Sequence, residues 1–284
     1  MTASTKTAPT AKSTVRQAIP EPTMMALIQE ALNAPGKLGN TYNLFYEYSF
    51  MNMLWLMLQG VDEPAGPFGF WKTKFGRYAK KGTAKTVLHP IFVPKKDRET
   101  GELVLDKNGK KQMVLVSFKP KATVFKYSDT VGPDIEWPEL PEWNLEMALS
   151  ALEITQERFS QIDGNTQGYS YDRKFAINPV AAHPWKTTFH ELAHIVLGHT
   201  DKSETTPHDE RGIKEFQAEA VAYLLANELE LTDWDSSESR AYIQSWLDGT
   251  GQRDQVTDAN IRSVFGAVNK ILKAGRPVRT VEEE

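Results

Sequence analysis

The sequence predicts an α+β protein: helices on a small antiparallel sheet in the first half, a mainly helical second half. Three observations predict it. Short β-type runs cluster at residues 86–125, with one more at 168–177. Downstream of residue 184, apolar residues recur at helical spacing. Charge divides the same way. Met1 to Val131 holds 19 Lys and Arg against 10 Asp and Glu, and Gly132 to Glu284 holds 14 against 27. Such asymmetry suggests different partners for the two halves.

The 284 residues suffice for two modest domains. We expect a disordered tail over 1–20, a first domain over 21–131, a proline-punctuated acidic linker over 132–141 and a second domain over 142–284. There is no cysteine, which excludes disulfides, thiolate zinc fingers and thiol nucleophiles and fits a cytoplasmic setting. The longest apolar run, Met51 to Leu58, is too short to span a bilayer, so no membrane partner is expected.

In the basic half, Pro22–Ala34 reads as an amphipathic helix built on Met24, Leu27, Ile28 and Leu32. Asn43–Leu58 reads as a second helix, apolar enough to be buried. Strand runs follow at 86–88 with 91–93, at 103–105, at 113–116 and at 123–125. Asn108-Gly109 between two of them is a hairpin turn signal, because both residues tolerate positive φ. From Trp71 to Tyr127 there are 15 basic and 4 acidic residues interleaved with aromatics, and Lys72, Lys74, Arg77, Lys80 and Lys81 are the densest cluster. Basic groups neutralise phosphates and aromatic faces stack on unpaired bases. The pattern fits single-stranded nucleic acid, and it equally fits solvated lysines over core aromatics.

The acidic half carries the chemistry. Gly168 to Ile177 reads as an edge strand leading into Asn178-Pro179. A helix is expected over Pro184–Leu197, with Pro184 in its first turn, a core stripe of Phe189, Leu192, Ala193 and Val196, and Gly198 at its stop. On it lies His190-Glu191-Leu192-Ala193-His194, an H-E-x-x-H pattern. Two histidines four residues apart leave one helix face one turn apart and can share a metal ion. Glu191 is placed to act as general base on a water at that ion.

A third ligand is needed. His199 lies five residues past His194, about 140° round the helix, and is expected to point elsewhere. The next helix, Arg211–Leu229, places Glu215 and Glu219 on one face, one turn apart. Glu215 is the expected ligand, and Glu219 the acceptor for the second N–H of a ligand histidine. The alternative is two solvated helix carboxylates. Zinc is the default for two nitrogens and an oxygen, although other divalent transition metals such as manganese or nickel can substitute. Tyr171 and Tyr223 are candidates to stabilise an oxyanion. Helices over Ser237–Leu247 and Asp258–Lys273 are expected as scaffold.

The chain resembles the ArdC-type antirestriction proteins of conjugative plasmids over nearly its whole length. Trp71-Lys72-Thr73-Lys74-Phe75, Lys80 to Lys85 and Val124 to Ser128 resemble that family's single-strand DNA-binding domain. Phe189 to His194 followed by Glu215-Phe216-Gln217-Ala218-Glu219 resembles its zinc-peptidase-like domain, and the paired glutamates resemble the second motif of gluzincins. The resemblance implies a zincin-like second domain and single-stranded DNA as partner. It implies DNA contacts at Trp71, Lys72, Lys74, Lys80, Lys81 and Lys85, to which the basic cluster adds Arg77, and a role in protecting incoming plasmid DNA from host restriction. A DNA-tethered zinc protease acting on a host restriction-related or regulatory protein is the alternative, as is a DNA-binding module whose metal is purely structural.

Overall fold

A computed structural model describes residues 22–33, 48–98, 100–136, 142–161, 165–201, 211–231, 234–248 and 256–276. The expected tail over 1–20 and residues 137–141 of the expected linker lie outside them. The architecture is α+β.

Helix α1 (Met24–Asn33) buries Met24, Leu27, Ile28, Ala31 and Leu32 on one face, and Thr23 caps its start by accepting from the Ala26 amide at 3.1 Å. Helix α2 (Phe50–Leu58) is capped by Ser49, which accepts from the Asn52 amide. The earlier part of that expected helix, 43–47, lies outside the described residues. Strand β1 (Ala65–Pro67), helix α3 (Phe68–Phe75), strand β2 (Tyr78–Ala79), strand β3 (Lys85–Pro94), strand β4 (Met113–Lys126) and strand β5 (Thr130–Val131) follow. The main sheet has the order β1-β4-β3, all antiparallel, and β2 pairs with β5.

Two side chains of α2 and its C-cap close the outer edge of β3. Asn52 exchanges two hydrogen bonds with the Leu88 backbone, and Gln59 does the same with Thr86. Each amide imitates a neighbouring strand and removes an open edge. The runs expected at 113–116 and 123–125 are one strand that passes through Pro120. Proline is tolerated there because β1 pairs only with Val124 to Lys126, leaving one side of β4 open at residue 120. The run expected at 103–105 is not a strand. Gly101 and Gly109, both at φ 73°, turn the chain on either side of it and leave only isolated bridges to Lys96 and Lys111. The Asn108-Gly109 turn forms as expected, with Asp106 Oδ1 accepting from the Asn108 and Lys110 amides.

The second half contains helix α4 (Leu145–Leu152), strands β6 (Thr155–Gln156), β7 (Gly168–Tyr171) and β8 (Lys174–Ile177), then helices α5 (Pro184–Val196), α6 (Arg211–Glu228), α7 (Ser237–Leu247) and α8 (Asp258–Ala274). The expected single strand at 168–177 is a tight hairpin, with Asp172 in the left-handed region at φ 48°. Aspartate visits that region more readily than most residues. Strand β7 is an edge, since the order is β6-β8-β7.

Helix α2 borders β3, yet α1 and α2 also pack on the C-terminal helices. Phe50 packs its ring 5.7 Å from Phe265 of α8, and Arg240 of α7 bonds the Asn33 side chain. One apolar core runs from α1 and α2 through α5, α6 and α8, crossing the expected 132–141 boundary. Charge segregation therefore sorts the surface and leaves the core undivided.

Candidate metal centre

Helix α5 is anchored by its apolar stripe. Phe189 is fully buried against Trp143 and Trp185, with ring centroids 5.6 and 5.7 Å away. Burying that stripe turns the opposite face, with His190 and His194, toward α6. Helix α6 packs on α5, fixed by Phe216, Ala220, Val221 and Leu224. Its half-exposed face presents Glu215 and Glu219 to the histidines.

His190 Nε2 lies 3.1 Å from His194 Nε2 and 3.4 Å from Glu215 Oε2, and His194 Nε2 lies 3.7 Å from the same oxygen. Four ligands placed tetrahedrally at metal bonds of about 2.0–2.1 Å would stand roughly 3.3–3.4 Å apart. The three measured edges bracket that value, so this donor set fits a divalent metal ion. Glu219 Oε2 lies 3.3 Å from His190 Nδ1, and its other oxygen accepts from Ser239 Oγ and pairs with Lys186 Nζ at 2.9 Å. His190 Nδ1 thus donates to a carboxylate, and its Nε2 is the atom left to bind.

Glu191 is buried beneath β7. Gly168 makes room for it: a Cβ there would stand 2.7 Å from Thr187 Cγ2 and 3.2 Å from both the Ala176 carbonyl and Glu191 Cγ.

The electrostatics follow from this crowding. Burial alone would pull the His190 imidazolium down, but Glu215 and Glu219 outweigh it and lift the group to about 9. The His190 ring, with His194 beside it, holds the Glu215 carboxyl well below the usual carboxylate range. Burial pushes Glu219 up, yet His190, Ser239 and Lys186 bring it well below that range. Burial and the neighbouring His194 push His199 down to about 4.

These shifts set a pH dependence. With His190 raised from 6.5 to about 9, its pairing stabilises the chain stripped of metal fully below 6.5, and that stability is lost as pH rises through about 9. Glu215, lowered from 4.5, contributes stability present above 4.5 and lost in acid. A metal must displace the His190 proton, so its affinity should climb by roughly tenfold per pH unit up to about 9. Metal titration between pH 6 and 9 checks this, and a flat profile would contradict it.

The other expected residues fall in different places. His199 does not point away. Gly198 adopts φ 79° at the helix end and reverses the chain, bringing His199 Nδ1 to 3.0 Å from His194 Nδ1. Extrapolating the helical angle fails because the helix has already ended at Val196. Tyr223 is buried with its hydroxyl 3.5 Å from the Leu32 carbonyl, and Tyr171 bonds Glu157, so neither is offered to the centre. A pocket beside His190, Glu215 and Glu219 is lined instead by Lys186, Glu238, Ser239 and Tyr242. Residues of α7 could not be found from sequence, because only tertiary packing brings that helix over α6.

In the basic half, Trp71 is fully buried among Phe70, Phe75 and Tyr127 and donates Nε1–H to the Phe125 carbonyl. Arg77 is also buried. Its guanidinium bonds Thr130, Gly132 and Pro133 and stacks on Tyr127. These two expected DNA contacts are built into the fold: Trp71 has no open face and the Arg77 guanidinium is turned inward. Lys72, Lys74, Lys80 and Lys81 are exposed, and Lys85 is half-buried. Lys80 Nζ also donates to the Ser128 carbonyl. Among the described residues of this half, the aromatics that do present a face are Tyr78, Phe92 and Phe68, 55%, 52% and 44% exposed.

Among the described residues no helix is long and apolar enough to cross a membrane. No family model matches the chain, and no curated protein does. Two solved structures are similar to it, the metal-free and Mn(II)-bound crystal structures of the antirestriction protein ArdC from R388 plasmid. They are 20% and 17% identical, each with a TM-score of 0.47; 89% of this chain is covered, against 94% and 95% of theirs.

Proposed function

We propose that this chain is an antirestriction protein that binds single-stranded DNA through its basic half and carries a zinc centre of the peptidase type in its helical half. The observation that carries the hydrolytic part is the convergence of His190 Nε2, His194 Nε2 and Glu215 Oε2 within 3.7 Å of one another, with Glu191 adjoining His190 on the same helix. The antirestriction role rests on the resemblance of the two motif sets to ArdC-type proteins. His190, His194 and Glu215 would hold the ion, and Glu219 would orient His190 through its Nδ1–H.

When bound there, zinc supplies Lewis acidity at a scissile carbonyl. The chain's own part is proton transfer. A Glu191 carboxylate oxygen takes a proton from the attacking water as the new C–O bond forms. It returns that proton to the leaving nitrogen as the C–N bond breaks. Two-metal phosphoryl chemistry is disfavoured, since a single three-donor group is found among the described residues.

On the DNA side, Lys72, Lys74, Lys80 and Lys81 supply phosphate neutralisation, and Tyr78 is the exposed aromatic in the same stretch of chain. Replacing both Lys80 and Lys81 by Glu should weaken single-strand binding and lower the slope of log affinity against log salt by roughly 1 to 2. Titrating a labelled single-stranded oligonucleotide and its duplex at two salt concentrations tests the reading. A strong, salt-dependent preference for the single strand supports it. Equal, weak binding to both, or a double variant that binds unchanged, defeats the proposed surface.

A further inference from the structure

We infer that His199 and Gln217 form a hydrogen-bond relay that fixes the tautomer of His194 and thereby sets the centre's affinity for metal, an inference that rests on the metal-site reading above.

The relay can be followed from its outer end. Gln217 Nε2 donates to the Asn260 carbonyl at 3.3 Å. That fixes which way the amide faces, so the atom 3.2 Å from His199 Nε2 is the oxygen Oε1. An amide oxygen only accepts, so His199 carries its proton on Nε2. Its Nδ1 is then an acceptor. The atom 3.0 Å from that acceptor is His194 Nδ1, which must donate. His194 is left with its lone pair on Nε2, the nitrogen 3.1 Å from His190 Nε2 and 3.7 Å from Glu215 Oε2. Each step follows from the donor or acceptor identity of one group, and together they leave a lone pair where a metal ligand requires one.

The outer anchor is itself fixed. Asn260 belongs to the capping box of α8, in which Thr257 and Asn260 each accept from the other's backbone amide. Gln217 sits on α6 with only 7% of its surface exposed. The relay therefore ties the turn after α5 to two helices of the core. The two histidines are oriented by different chemistry: His190 by the Glu219 carboxylate, and His194 by a neutral imidazole and amide. A neutral relay orients its ligand without adding a charge to the centre.

The test compares Zn2+ affinities of the full chain, measured by competition with a chromogenic chelator, for wild type, His199→Phe, Gln217→Met and Gln217→Glu. Phenylalanine fills the space of the imidazole without its nitrogens, and glutamate keeps an acceptor toward His199. His199→Phe and Gln217→Met should each weaken zinc binding about 10- to 100-fold, and Gln217→Glu should bind within about threefold of wild type or more tightly. Long-range 1H–15N spectra of wild type should place the His194 proton on Nδ1. Affinities of His199→Phe and Gln217→Met equal to wild type would overturn the relay. So would a wild-type spectrum with the proton on His194 Nε2. That spectrum needs no variant and decides the matter if His199→Phe does not fold. Failure of wild type to take up zinc would overturn the metal-site reading itself, and the relay's purpose with it.

Discussion

Glu215→Ala should lower Zn2+ affinity by roughly 100- to 1,000-fold, the largest loss expected from any single carboxylate in the chain. Total zinc-site free energies of about 10–16 kcal/mol, shared over four ligands, put each at a few kcal/mol. Among the described residues, Glu215 Oε2 is the carboxylate oxygen that approaches both histidine Nε2 atoms, at 3.4 and 3.7 Å, and Glu219 cannot replace it while held by Ser239, Lys186 and His190. Glu219→Ala should weaken binding by about 10- to 100-fold only, because it orients a ligand and is not one. Chelator competition on both variants measures the difference. A Glu219→Ala loss equal to or larger than that of Glu215→Ala would exchange the roles of the two carboxylates.

Glu191→Ala should leave zinc content unchanged and cost about 100- to 10,000-fold in peptide hydrolysis, the usual range for removing a general base. The side chain touches neither of the carboxylates that hold the histidines, so the ligand geometry has no reason to change. Its buried place under Gly168 gives a second route to the same result. Gly168→Ala would press on Thr187 and on Glu191 Cγ and should slow hydrolysis without removing a charge. Rates on a fluorogenic peptide library, with zinc content determined on the same samples, provide the check. A restriction-protection assay on Glu191→Ala separates the biological readings. Protection retained means that proteolysis is dispensable, and protection lost in a folded, zinc-loaded variant means that the chemistry is required.

The centre was legible where local periodicity governs. The i, i+4 spacings of His190 with His194 and of Glu215 with Glu219 need only that both segments be helical, and the apolar stripes of α5 and α6 supply that condition. Legibility ended where a helix ended. Gly198 marks the stop of α5, but the direction in which its left-handed turn carries His199 back is not written in helical spacing. Lys186, Ser239 and Tyr242 belong to the pocket for reasons of tertiary packing. In the basic half, composition gave the charge correctly but could not divide it. The Lys72 and Lys74 side chains project from α3, whereas Trp71, one position earlier, turns into the core. The left-handed Gly76 then closes the helix and carries Arg77 inward to Thr130. The charge split also concealed the packing of α1 and α2 on the C-terminal helices, because the residues that make it, such as Phe50 and Phe265, are uncharged.

The most direct test of the account is X-ray absorption at the zinc edge on the full chain loaded with one equivalent of Zn2+, repeated on His194→Ala. The account predicts one tightly held ion per chain with two imidazole nitrogens and carboxylate oxygen at about 2.0–2.1 Å, and loss of one imidazole in the variant. An ion surrounded by oxygen alone, or a spectrum that His194→Ala leaves unchanged, would contradict the centre on which the functional reading stands.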